Sequence, residues 1–204
     1  MKHHPPHNVF FLLLMMLAVT PLYAQQQVNF GLYTNSDLFL DAPTHDVLDF
    51  GDIISGGENV QVLLSDGEAV PILIEGVEYL DVTVTLEPPA NNFLLLENNI
   101  DNLNDPQKRL PVEIKMAYYN RGANGITEEA AKAEAILVTG NTVTFQIARR
   151  PGGPPGPPPT PPHAGYTPKT GTAYLFIFGN LTVNQVHAGP YSGQINIHVE
   201  YATY

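Results

Sequence analysis

The sequence predicts an all-β fold, an antiparallel β-sandwich with one short helix in a connection. Three observations lead there. Apolar and polar residues alternate one by one through several short runs, clusters of Gly, Pro, Asn and Asp separate those runs, and only one stretch carries helix signals. Alternation with period two gives a strand one buried face and one solvated face. Short strands punctuated by turns fold back on one another as a sandwich or barrel.

In chain order, ENVQVLL places Val60, Val62 and Leu64 on one face. YLDVTVTLE sets Leu80, Val82, Val84 and Leu86 against Asp81, Thr83, Thr85 and Glu87. LPVEIKMAY aligns Val112, Ile114, Met116 and Tyr118, and NTVTFQIA aligns Val143, Phe145 and Ile147. AYLFIFGNLTV differs, because Tyr174 to Phe178 are apolar without alternation, the pattern of a strand buried on both faces. The last strand, residues 194–201, sets Ile195, Ile197, Val199 and Tyr201 against Gln194, Asn196, His198 and Glu200. Before it, Gly189 and Gly193 are expected to flank a tight reversal, with Pro190 presetting one dihedral and Tyr191 packed at the corner.

The helix is predicted in GITEEAAKAEAI. Thr127 is its N-cap, acids fill the first turn, and alanines follow. It is expected as a helical surface loop between two strands rather than a second layer. Glu128 and Glu129 are adjacent and so do not face each other, which makes them helix-dipole partners rather than a catalytic pair.

The N-terminus reads as a secretory leader. Lys2 precedes an apolar run from Val9 to Val19, and Ala24 is a small residue at a plausible cleavage position. The run is shorter than the ~20 residues a spanning helix needs. The chain is therefore expected to be exported, to the periplasm, the cell surface or the medium. Residues 1–24 form the signal peptide and 25–46 an N-terminal extension with an edge or donor strand. Residues 47–204 form the β-sandwich, in which 150–162 is a proline-rich exposed loop. That loop, PGGPPGPPPTPP with its flanks, offers few backbone donors and breaks the Gly-Pro-Pro register at Pro159. With no cysteine, the domain is expected to hold by packing alone, and thiol, zinc–cysteine and iron–sulfur chemistry are excluded. A net charge of −11 argues against nucleic acid and anionic lipid as partners.

Sites of chemistry are sparse. There is no G-x-S-x-G elbow, no H-E-x-x-H and no P-loop. His45, His163, His187 and His198 are scattered singly. ENNIDNLNDPQ offers Asn98, Asp101, Asn104 and Asp105 as oxygen ligands for calcium, but Leu103 breaks the EF-hand order and an ordinary turn fits as well. Asn180 stands in an N-x-T sequon inside a strand pattern. No catalytic, cofactor or metal residue is assigned, no cofactor is expected, and the chain is not expected to be an enzyme.

FIFGNLTVNQVHAGPYSGQINIHVEY resembles the C-terminal signature of a family of secreted bacterial β-sandwich domains of unknown function. The residues that carry it are Gly179, Leu181, Val183, Ala188, Gly189, Tyr191, Gly193 and Tyr201. LDFGDIISG, Leu48 to Gly56, is similar to the early strand of the same family. That family in turn resembles spore-coat-U-type proteins and chaperone–usher fimbrial subunits. The resemblance implies an immunoglobulin-like, pilin-like sandwich and carries no catalytic residues. It implies a structural or surface-assembly protein, whose partners would be copies of itself or related subunits joined by strand addition. The alternative is a binding module or adhesin that recognises a glycan or protein through its long loops. The N-terminal QQQVNFGLYT alternates as well, with Val28, Phe30 and Leu32 on one face, and residues 27–33 fit either a strand closing its own sandwich or one donated to a neighbour.

Overall fold

The computed structural model of the chain describes residues 38–42, 44–148 and 169–202, and the backbone of 28–30. The leader, the proline-rich loop at 150–162 and His163 lie outside the described residues. Eleven strands form among the described residues. They are β1 (Val28–Phe30), β2 (Phe39–Asp41), β3 (Val60–Val62), β4 (Val70–Val77), β5 (Asp81–Glu87), β6 (Phe93–Leu96), β7 (Arg109–Tyr119), β8 (Ile136–Leu137), β9 (Thr142–Gln146), β10 (Thr170–Leu181) and β11 (Tyr191–Tyr201). One α-helix, α1 (Glu128–Ala133), lies between β7 and β8. The fold is all-β, as the alternation predicts.

The ladders form two layers. In one, β2, β4, β10 and β7 are neighbours in that order, with β3 on β10 and β8 on β7. In the other, β11, β5 and β9 are neighbours. Strand β6 pairs with β7 through Phe93–Leu95 and with β11 through Leu95–Leu96, and so joins the layers at one corner. Every pairing is antiparallel except that of β1 with β11. Residues 25–46 supply both β1 and the edge strand β2, whose neighbour Leu38 is buried.

One apolar core fills the space between the layers. Val82, Val84, Leu86, Ile195 and Ile197 meet Ile72, Ile74, Val112, Leu175 and Ile177 there. Tyr118 of β7 stacks on Phe145 of β9, with ring centroids 4.4 Å apart. Each of these side chains removed from water contributes ~1.5–3 kcal/mol.

The two-faced burial of β10 has a specific cause. Leu175 and Ile177 face the core, while Phe176 and Tyr174 belong to a second cluster with Tyr119 and Ala131. Ala131 and Lys132 come from α1. The helix is the short surface connection the sequence predicts, and its Ala131–Lys132 face forms a lid on the outer face of β10 and β7. Lys132 Nζ donates to the Asp66 carbonyl and pairs with Glu128, both at 2.8 Å, and this pins the lid to the β3–β4 turn.

Two expectations change. LDFGDIISG forms no strand, yet Leu48 and Phe50 are buried and anchor the segment by their side chains. Gly193 lies inside β11 and not at its preceding reversal. It is glycine because a Cβ there would sit 2.7 Å from Pro89. Tyr191 is packed at the corner as expected, 2 % exposed, and its hydroxyl donates to the carbonyls of His187 at 2.9 Å and Gln107 at 3.1 Å. The hydroxyl thus ties the start of β11 to the backbone four residues upstream.

Candidate functional site

Most of the sequence-selected polar residues are engaged by the backbone or by one another, Asn98 being an exception among the described residues. Thr127 caps α1 by accepting from Ala130 N–H at 3.3 Å. Glu128 pairs with Lys132 and accepts from Thr44. The Glu129 carboxyl is held below its ordinary range by a backbone hydrogen bond and by the Thr127 side chain. Asp101 and Asn104 lie in a 3-10 turn, Ile100–Asn104, capped by Asn99. Asp105 accepts from Gln107 N–H and lies 3.6 Å from Lys108. Among the described residues, no three His, Asp or Glu side chains gather as a metal would require.

His45 contacts the Glu68 carbonyl at 3.2 Å, His198 lies 3.5 Å from Glu87, and His187 takes part through its backbone. Asn180 donates its side-chain N–H to Glu113 at 2.9 Å, so the sequon nitrogen is engaged inside the β10–β7 ladder. Lys115 and then Asn180 hold the exposed Glu113 carboxyl below its ordinary range.

Two features remain, and both involve β11. The first is its edge. Strand β5 pairs with Asn196–Tyr201, and β6 continues in the same antiparallel sense along Tyr191–Ser192, with residues 88–92 bulging between them. Both therefore occupy one edge. Strand β1 runs parallel against Gly193–Ile195 and takes the other edge, in the register Val28↔Gly193, Asn29↔Gln194 and Phe30↔Ile195. Among the described residues, nothing pairs with that second edge beyond Ile195. Parallel ladders are the weaker kind per residue, and three residues make a short one.

The second feature is a cleft of about 280 Å³ on the outer face of β6 and β11. Phe93, Leu95 and Ile100 give it apolar walls, and Asn98, Ser192, Gln194 and Asn196 supply polar atoms. None of its lining residues is charged. Asn91 and Asn92 before β6, and Glu97 and Asn98 after it, all have positive φ, at 52°, 63°, 54° and 51°. Such backbone collects where a particular geometry is being held, and Asn is among the non-glycine residues that tolerate it best. Arg109 stacks over Phe93, 4.3 Å from the ring centroid, and donates to the Leu103 carbonyl.

The sequence pattern marked the alternation of Gln194 and Asn196 but gave no sign that Phe93 and Asn98 would stand beside them. The available signal was that the solvent face of the last strand begins with uncharged amides in an acidic protein. No protein-family model matches the chain, and no curated protein matches it.

Proposed function

We propose that the chain is an exported, non-enzymatic structural subunit that assembles at a cell surface by strand addition at β11. The β1–β11 ladder supports this reading. Residues far apart in sequence meet there over only three positions, so β1 of the same chain and β1 of a neighbouring copy can satisfy the same edge. A strand edge left open is a site of uncontrolled association, and a dedicated strand is one way to cap it. The resemblance to pilin-like and coat subunits, and the leader-like N-terminus, add to the reading. No helix among the described residues is long and apolar enough to cross a membrane.

The chain has no cysteine, which makes a clean cross-linking test available. Asn29→Cys and Gln194→Cys together place two thiols at paired register positions. Adjacent strands bring Cα atoms within the range a disulfide spans. After mild oxidation, an assembly subunit yields linked dimers and longer chains on a non-reducing gel, increasing with concentration. Linked monomers alone at every concentration would mean that β1 serves only its own domain, and would overturn the proposal.

A further inference from the structure

We infer that the cleft between β6 and β11 binds a neutral saccharide. This goes beyond assembly, because the cleft lies on the face of β11 whereas the proposed joint uses its edge.

Charge is the first argument. In a protein of net charge −11, the cleft is lined without a single Asp, Glu, Lys or Arg. An anionic ligand finds no cation there, and a cationic ligand finds no carboxylate. A purely apolar ligand would leave the Asn98 amide and the second N–H groups of Gln194 and Asn196 without partners. A neutral polyhydroxylated ring suits both halves of the lining. Its hydroxyls both donate and accept, which matches carboxamides, and its C–H faces suit Phe93 and the 61 % exposed Ile100.

The polar groups are also held in place. Gln194 donates to Asn196 Oδ1 at 2.9 Å, and Asn196 donates to Glu87 at 3.3 Å. Each amide keeps a second N–H, and Gln194 keeps its own oxygen, for a ligand. Asn98 and Ser192 make no side-chain hydrogen bond among the described residues. Arg109 fixes the Phe93 ring from outside the cleft. The volume of about 280 Å³ falls just below the usual range of about 300–1,000 Å³ for small-ligand sites, which suits one or two sugar rings rather than a long chain.

The test is an array of neutral hexose and N-acetylhexosamine oligosaccharides, with sialylated and sulfated ones beside them, probed with the full chain. The best neutral binder is then followed by saturation-transfer NMR. Binding to a neutral oligosaccharide is expected, weakened at least 10-fold in Asn98→Gly and in Gln194→Ala. Both substitutions should keep the wild-type melting temperature, since Gly accepts a positive φ and Gln194 is exposed. Binding of charged glycans only, binding unchanged in both variants, or no neutral glycan bound at millimolar concentration would each overturn the inference. None of these outcomes bears on the cross-linking of β1 to β11.

Discussion

The hydroxyl of Tyr201 accepts a hydrogen bond from the backbone N–H of Val77 at 2.9 Å, which ties the end of the last strand to the end of β4 in the facing layer. Gly76 makes room for it, because a Cβ at that position would lie 2.9 Å from the hydroxyl, 2.6 Å from Leu38 and 2.7 Å from Ile147. Tyr201→Phe leaves the half-buried Val77 donor without this partner and is expected to cost ~1–2 kcal/mol. Gly76→Ala overpacks the same junction and should cost ~1–3 kcal/mol. Urea unfolding, with an unchanged slope and a lower midpoint, checks both.

Tyr191 is the corresponding tie at the other end of β11. Tyr191→Phe removes the hydroxyl shared by His187 and Gln107 and should destabilise by ~1–3 kcal/mol. Burial, with the Asp105 charge adding to it, raises the Tyr191 phenol above its ordinary value of 10.0, and burial with Glu128 and Glu129 raises Tyr174. As pH rises, the unfolded chain gives up these protons first. The stability they hold is therefore complete below pH 10.0 and falls as pH climbs through that value toward the folded-state values. The urea midpoint followed from pH 8 to 11 should drop, and the drop should be shallower in Tyr191→Phe. An identical slope in the variant would remove Tyr191 from the account.

Gly179 of β10 lies opposite Ile114 of β7. A Cβ there would fall 2.3 Å from the Glu113 carbonyl oxygen, which is backbone and cannot swing aside. Gly179→Ala should therefore cost about 3 kcal/mol by pushing the two strands apart. Thermal unfolding followed by circular dichroism would show a lower Tm, and amide exchange would quicken along both strands.

Lys132→Met keeps an apolar stem under the lid while deleting the bonds to the Asp66 carbonyl and Glu128. A loss of ~1–2 kcal/mol is expected, with the β3–β4 turn and α1 showing the largest gain in amide exchange. A uniform gain over the whole molecule would mean that the helix does not open separately.

Apart from β10, whose unbroken apolar run marked it, the strands legible in the sequence were those with one wet face. Val82, Val84 and Leu86 in β5, and Ile195 and Ile197 in β11, alternate because solvent lies opposite them. Strand β4 was not legible as a strand, since VPILIE is nearly continuous in apolar residues and contains Pro71. The ladder tolerates that proline because β2 covers only Leu73–Glu75, leaving the start of β4 with one strand neighbour. Strand β6 hid between asparagines whose turn propensity masked Phe93–Leu96. The burial of Tyr174 and Phe176 was legible, but what covers them was not, because alternation does not say which surface a short helix will seal. The cleft depends on β6 lying beside β11, a pairing of residues nearly a hundred positions apart that no local pattern encodes.

The parallel sense of β1 and β11 has a mechanical consequence. Val28 and Tyr201 lie toward opposite ends of the paired strands, so tension drawn through the two ends of the chain pulls the strands past each other along their length. The ladder is then loaded in shear, with its hydrogen bonds sharing the force at once rather than peeling open one at a time. Where β1 comes from a neighbouring copy, each joint in a file of subunits would carry load in the same way. Single-molecule stretching would register this as an early force peak, absent from a chain in which β1 has been replaced by glycine and serine.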